Sequence, residues 1–98
     1  MLTSKQRANL RGKASVMDDV CFVGKDGITN ALLDSVRDVL TARELIKIKV
    51  LPACELSARE VADSLSASFN AEVVGVIGTK VIIYKKSEKK NIKHIEIN

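Results

Sequence analysis

Four short runs of branched apolar residues, separated by segments with helical spacing, restrict the fold of this 98-residue chain more than any other feature. The run 45–50, LIKIKV, alternates apolar residues with lysine, which is the period of a strand with one polar face, and Pro52 ends it. The runs 20–23, 73–77 and 81–84 predict three more strands. Because only Gly78 and Thr79 separate the last two, these are expected to form a hairpin.

Three amphipathic or capped segments between these runs predict helices. Thr3 or Ser4 caps the first, which runs to about residue 14, and Thr29 caps the second. The motif S-x-x-E at 57–60 is a capping box for the third, which ends near residue 70. The resulting order, αβαβαββ, predicts a single α/β domain with a four-stranded mixed sheet, because strand–helix–strand units favour parallel strands and the hairpin adds an antiparallel one.

The residue inventory argues against several classes of protein. No apolar stretch is long enough to span a bilayer and the first residues lack the core of a signal peptide, so we expect a cytoplasmic protein without membrane contact. Cys21 and Cys54 have no CxxC spacing, and His94, the single histidine, lies in a polar stretch near the end. We therefore expect no metal site, no cofactor, no small-molecule substrate and no catalysis, although a site built from carboxylates alone escapes this argument.

Positive charge is concentrated at the two ends of the chain. Residues 1–13 hold four lysines and arginines and no acid, residues 85–98 hold five lysines against two glutamates, and the middle is slightly acidic. Such segregation attracts polyanions, so nucleic acid is the first candidate partner. From residue 87 onward the composition is too polar to bury much surface, and we expect a domain over 1–86 followed by a flexible basic tail over 87–98.

The loop Gly24-Lys25-Asp26-Gly27, between a predicted strand and a predicted helix, is the most informative short motif. Two glycines allow a backbone to approach a ligand closely, and a GxxG loop can clamp a nucleic-acid backbone while Lys25 contacts a phosphate. The alternative is a simple turn, since Asp-Gly is a common turn dipeptide. A P-loop is excluded, because no lysine follows the second glycine.

The first helix supplies a second basic element. It carries Lys5, Arg7, Arg11 and Lys13, and its alternative role is a solvated surface without a partner. We expect the loop and this helix to converge on one polyphosphate chain. The lysines at 47 and 49 are explained by strand alternation alone and are not assigned to a site.

The chain has few aromatic residues, and their positions bear on the kind of nucleic acid expected. Phe22 and Phe69 fall in patterns of core residues, and Tyr84 is the third aromatic. This interpretation leaves no platform on which unpaired bases stack. The sequence therefore favours structured RNA that is recognised by shape and phosphate contacts.

Several separated segments, in order, resemble the CRM domain, the chloroplast RNA splicing and ribosome maturation module. They are VCFVGKDGIT at 20–29, ELIKIK at 44–49, LTSKQR at 2–7 and IGTKVIIYK at 77–85. The resemblance covers about residues 1–86 and is closest to the bacterial stand-alone members called YhbY-like proteins. It implies a fold similar to the C-terminal domain of translation initiation factor three.

The resemblance also implies a function. Its family binds RNA through the GxxG loop and an adjacent basic surface, and associates with precursors of the large ribosomal subunit; plant relatives act in group II intron splicing. Carried over by position, the RNA-binding residues expected here are Gly24, Lys25, Asp26, Gly27, Lys5, Arg7, Arg11, Lys13, Lys85 and Lys86. Asp26 departs from an all-basic loop and weakens the expected phosphate affinity. We expect a monomeric ribosome-assembly factor that binds ribosomal RNA, with a protein-interaction or regulatory α/β module as the alternative.

Overall fold

A computed structural model describes residues 2–87 and 94–95 of the chain. Its elements, in chain order, are α1 (Ser4–Ala14), β1 (Asp19–Val23), α2 (Asn30–Arg43), β2 (Leu45–Val50), α3 (Ala58–Phe69), β3 (Glu72–Ile77) and β4 (Lys80–Tyr84). The predicted order αβαβαββ and the four-stranded mixed sheet are confirmed. None of the helices in the described ranges is long and apolar enough to cross a bilayer.

Side-chain capping fixes where the helices begin. Thr3 and Ser57 each form a complete capping box, with Gln6 and Glu60 as the returning side chains. In a capping box, two backbone N–H groups that have no partner inside the helix are satisfied by side chains. Thr29 caps α2 by accepting a hydrogen bond from the backbone N–H of Leu32. Each helix therefore starts at the position that the sequence indicates.

The strands lie side by side in the order β1-β2-β4-β3. β1 pairs with β2 in parallel, and β4 is antiparallel to both β2 and β3. The hairpin thus joins the sheet through its second strand, which leaves β3 as one edge and β1 as the other. β3 runs parallel to β2, as a strand–helix–strand unit favours, but β4 lies between them.

The two faces of the sheet carry separate cores. The core under α2 and α3, here called the α2/α3 core, has buried side chains from β1, β2 and β4, and partly buried residues of β3 pack against it. The members from β2 are Ile46, Ile48 and Val50. The opposite face, here called the α1 core, is smaller and groups Leu10 and Ala14 with side chains of β2, β3 and β4. The alternation that predicted β2 is what divides its side chains between these cores.

Glu44, at the junction of α2 and β2, is fully buried and binds the C-terminal segment. Its carboxylate accepts hydrogen bonds from the backbone N–H groups of Ser87 at 2.6 Å and Ile95 at 2.8 Å, and lies 2.7 Å from Nδ1 of His94. Burial alone would raise the pKa of Glu44, but the hydrogen bonds with His94, Ile95 and Ser87 outweigh it and lower the pKa.

These contacts bear on the basic tail expected from residue 87 onward. Ser87 is buried, and Ile95 packs against the α1 core. At residues 87, 94 and 95 the chain is therefore held against the domain. A flexible tail was expected because the segment can bury little apolar surface, and that reasoning takes no account of a buried carboxylate that anchors it. The rest of the predicted tail, 88–93 and 96–98, lies outside the described residues.

Candidate nucleic-acid interface

The Gly24-Lys25-Asp26-Gly27 loop forms a tight turn directly after β1. The backbone N–H of Gly27 donates a hydrogen bond to the carbonyl of Gly24 at 2.9 Å, and Lys25 and Asp26 at the tip are exposed. Gly27 has a φ of 67°, in the left-handed region that favours glycine. Gly24 has no such φ, and a Cβ added to it would meet Leu51 at an ordinary 3.8 Å. Only the second glycine is therefore required by the turn itself.

This turn is fixed to the end of β2. The backbone N–H of Leu51 donates a hydrogen bond to the carbonyl of Val23 at 2.9 Å. The N–H of Val50 donates to the carbonyl of Thr79 at 2.8 Å, which brings the β3–β4 hairpin to the same end of the sheet. The GxxG loop and the hairpin turn thus share one end of the molecule.

The basic side chains of α1 lie elsewhere. Lys5, Arg11 and Lys13 are exposed and Arg7 is half-buried. Nε of Arg7 donates a hydrogen bond to the carbonyl of Val73 at 3.3 Å. The Arg11 side chain passes so close to Gly75 that a Cβ there would lie 3.0 Å from its Cδ.

The contacts of Arg7 and Arg11 place both arginines at the edge strand β3. There they line a polar recess of about 560 Å³ together with Arg59, Asp63, Ser66 and Glu72. Arg59 already forms an ion pair with Asp63 at 3.2 Å. Three guanidinium groups and two carboxylates therefore share this edge, which lowers its net positive charge.

The expected convergence of the loop with the arginines of α1 is wrong. The loop follows β1, Arg7 and Arg11 contact β3, and these strands are the opposite edges of the sheet. The sequence could not show this, because it contains no signal that places β4 rather than β3 next to β2. The loop is nonetheless exposed at its tip, as a binding role requires.

Lys85 and Lys86, the last expected site residues, lie at a third place. They are exposed and, with Arg37, Leu40, Thr41, Phe69 and Ser87, line a cavity of about 380 Å³ beside α2 and α3. The backbone N–H of Lys85 donates to the carbonyl of Glu44 at 2.9 Å. The structure therefore distributes the ten expected residues over the loop, α1 with the β3 edge, and the chain that follows β4.

Sequence reasoning missed one part of the surface. On the α1 face, the residues Phe22, Lys49, Lys80 and Ile77 are paired neighbours across all four strands and form a single row, here called the open row. Phe22 is 54% exposed and Ile77 is 57% exposed. The interpretation of Phe22 as a core residue is wrong, since Cys21 and Val23 on either side of it are the ones that face the α2/α3 core. A strand places successive side chains on opposite faces of the sheet. Because residues 20–23 are all apolar, the sequence gives no sign of which of them faces solvent.

No group of three or more histidine, cysteine, aspartate or glutamate side chains that could hold a metal ion occurs between residues 2 and 87 or at 94–95. Burial raises the pKa of the Cys21 thiol above its ordinary value, so the thiol stays protonated at neutral pH.

Comparison with known proteins identifies the family and agrees with the fold. Residues 2–85 match the sequence profile of the CRS1 / YhbY (CRM) domain, which is nearly the whole chain. The chain belongs to the CRM family. The CRM-domain resemblance predicted from the sequence is thereby confirmed.

Individual relatives are similar over most of this chain. "Probable RNA-binding protein YqeI" of Bacillus subtilis is 37% identical over 97 residues, which is 99% of this chain and 99% of that protein. A protein of Haemophilus influenzae named "RNA-binding protein" is 30% identical over 93% of this chain and 92% of its own. A solution structure of SAV1595 from Staphylococcus aureus, described as a candidate RNA-binding protein, has a TM-score of 0.78 and 36% identity over 97% of this CRM chain and 100% of that one.

Proposed function

We propose that this CRM protein binds structured ribosomal RNA in the cytoplasm and assists assembly of the large ribosomal subunit, as a monomer and without catalytic turnover. The observation that carries the proposal is the exposed Gly24–Gly27 turn at the end of the sheet, with Lys25 at its tip and lysines of β2 and β4 on the adjoining strands. The names of its relatives support RNA as the ligand.

Phosphate contacts account for the binding physically. A protein that neutralises phosphates with lysine or arginine releases counterions, so its affinity falls linearly with salt on logarithmic axes. Among the basic side chains proposed to contact RNA, Lys25 and those at 5, 11, 13, 85 and 86 are exposed, whereas Arg7 and the lysines of β2 and β4 are half-buried. None of them is fully buried, so they can reach phosphates without local unfolding. Sequence reading is not expected from these groups, because phosphate contacts position a protein and carry no base identity.

A binding assay with a ribosomal RNA hairpin over a salt series tests the RNA part of the proposal. We expect affinity to fall steeply with salt, and the Gly24→Val variant to bind more weakly, because a larger side chain keeps the loop backbone away from the RNA. Gly24 has ordinary φ and room for a Cβ, so this variant is expected to fold. A control is Ala67→Val on the exposed side of α3, which carries none of the expected RNA-binding residues.

Sedimentation of cell extracts tests the ribosomal part. We expect the protein to co-sediment with precursors of the large subunit, and those precursors to accumulate in cells that lack it. Salt-insensitive binding to a protein, with no affinity for the hairpin, would instead support the interaction-module alternative. Association with small subunits alone would overturn the assembly role while leaving RNA binding intact.

A further inference from the structure

We propose that Phe22 is a stacking platform for one unpaired base of the bound RNA, and that Lys49 and Lys47 contact the phosphates that flank it. This inference rests on the proposed function and names the part of the RNA that Phe22 and its lysine neighbours bind. It replaces the expectation that only paired, shape-recognised RNA is bound.

The first step is that α1 covers only part of the sheet face on which it packs. The α1 core includes Leu45, Val74, Ile82 and Tyr84, which lie toward the end of the sheet where β2 begins. The open row lies toward the opposite end, where β2 finishes and the GxxG loop follows β1. The uncovered part of the face thus adjoins the loop.

The second step is that Phe22 is set apart from the other two aromatics. Tyr84 is only 5% exposed, and Phe69 is partly buried against the α2/α3 core. An exposed apolar residue is by itself ordinary on a protein surface. Phe22 differs because its neighbours on the sheet are cationic, and an aromatic ring within a basic groove is the combination that binds unpaired nucleotides.

The charges on this face are the third step. Lys49 is the direct cross-strand neighbour of both Phe22 and Lys80, and neighbouring strands lie about 4.8 Å apart. Two like charges in directly opposed positions destabilise a sheet. Asp19 forms an ion pair with Lys80 and relieves part of this repulsion. Lys47 and Lys49 have no ion-pair partner among residues 2–87 and 94–95, so this face retains positive charge beside the ring.

That charge distinguishes the proposed occupant from an apolar protein surface. A protein that covers Phe22 would have to desolvate Lys49, which is unfavourable unless an acid is supplied. A nucleotide provides a flat base for the ring and a phosphate for the lysine in one unit. Lys25 is only three residues beyond Phe22, within about 11 Å along the chain, so consecutive nucleotides can reach from the open row to the loop.

The test compares two RNA probes: a blunt ribosomal RNA duplex annealed from two strands, which has no unpaired base, and the same duplex with a single-stranded extension of about five nucleotides. We expect the wild-type protein to bind the extended probe more tightly. Phe22→Ala lowers affinity for the extended probe by about tenfold, and affinity for the blunt probe stays unchanged. Phe22→Trp keeps the wild-type preference, whereas Phe22→Leu loses it, because leucine is apolar but has no ring.

Ile77→Ala is the matched control, since Ile77 occupies the same row with a similar exposed fraction. We expect it to bind both probes like the wild type. Lys49→Ala is expected to weaken binding of the extended probe. The slope of log affinity against log salt concentration should fall by about one, which corresponds to the loss of one phosphate contact.

Each remaining outcome overturns a different statement. If Phe22→Leu prefers the extended probe as strongly as the wild type, or Phe22→Ala weakens both probes equally, the stacking role is wrong and RNA binding stands. If the wild-type protein binds neither probe, the proposed function fails and this inference fails with it. Loss of a bound protein partner in Phe22→Ala, with RNA binding intact, would assign the open row to protein contact.

Discussion

The two faces of the sheet are covered to different extents. Two helices cover one face, and its core draws on β1, β2 and β4 as well as both helices. The other face has α1 and the residue Ile95 over one end, and it leaves the open row exposed at the other. The difference separates two tasks: the α2/α3 face stabilises the fold, while the incompletely covered face has side chains available for a ligand.

The largest expected effect comes from the α2/α3 core. Ile48 is fully buried there, so Ile48→Ala should lower the free energy of unfolding by about 2–5 kcal/mol, measured by urea denaturation. Ile77→Ala, on the open row, should stay within about 0.5 kcal/mol of the wild type. Equal losses of unfolding free energy in the two variants would show that the two faces contribute equally to stability.

A smaller loss is expected where the C-terminal segment joins the fold. Glu44→Gln keeps the shape of the side chain but weakens the hydrogen bonds to Ser87, His94 and Ile95, which should cost about 1–3 kcal/mol at neutral pH. Glu55→Gln, at an exposed position, is the control.

The pH dependence gives a second check on Glu44. Its pKa in the fold is lowered from the ordinary 4.5, so its contribution is complete above pH 4.5 and is lost as the pH falls through the folded-state value. Urea denaturation at decreasing pH should therefore show the wild-type protein approaching Glu44→Gln below that pH. A constant difference between the two would show that the carboxylate charge is not what stabilises this junction.

The RNA affinities of variants at the two edges of the sheet show how far the bound RNA extends across it. Lys25 and Arg7 lie at opposite edges, so Lys25→Ala and Arg7→Ala should each weaken RNA binding and each reduce the salt dependence by about one phosphate contact. Because the sites are far apart, the double variant should show the sum of the two effects in free energy. Arg43→Ala, exposed at the end of α2, should bind normally. An effect of Lys25→Ala alone would confine the RNA to the loop end.

The smallest expected change is the effect of Phe22→Ala on stability. Because the ring is 54% exposed, the free energy of unfolding should shift by no more than about 0.5 kcal/mol. A decrease of several kcal/mol in the free energy of unfolding would show that Phe22 acts as a core residue.

Local signals were sufficient to predict the elements of this fold. The cap of α1 at Thr3 or Ser4, the capping box at Ser57 and the alternation over 45–50 depend on residues close together in sequence. The structure confirms all three and selects Thr3 as the cap of α1. Strand order was less accessible, because either strand of the hairpin could have paired with β2 by periodicity alone. The anchoring of His94 by Glu44 joins residues fifty positions apart, which no local pattern encodes.

The candidate site was predictable in type but not in arrangement. The motif at 24–27 and the basic character of α1 are visible in the sequence, whereas their separation across the sheet follows from the strand order. Phe22 was misjudged because four consecutive apolar residues indicate a strand buried on both faces, and α1 does not extend far enough to bury the second face at β1.

The two hydrogen bonds at the end of β2 have a thermodynamic consequence. Val50 holds the hairpin turn, and Leu51 holds the strand that leads into the GxxG loop. The hairpin turn and the loop are therefore fixed relative to each other before any ligand binds. A ligand that spans them meets a preformed surface, and little conformational entropy is lost in ordering the protein. Association should therefore be rapid, and affinity differences among variants should appear mainly as changes in the dissociation rate.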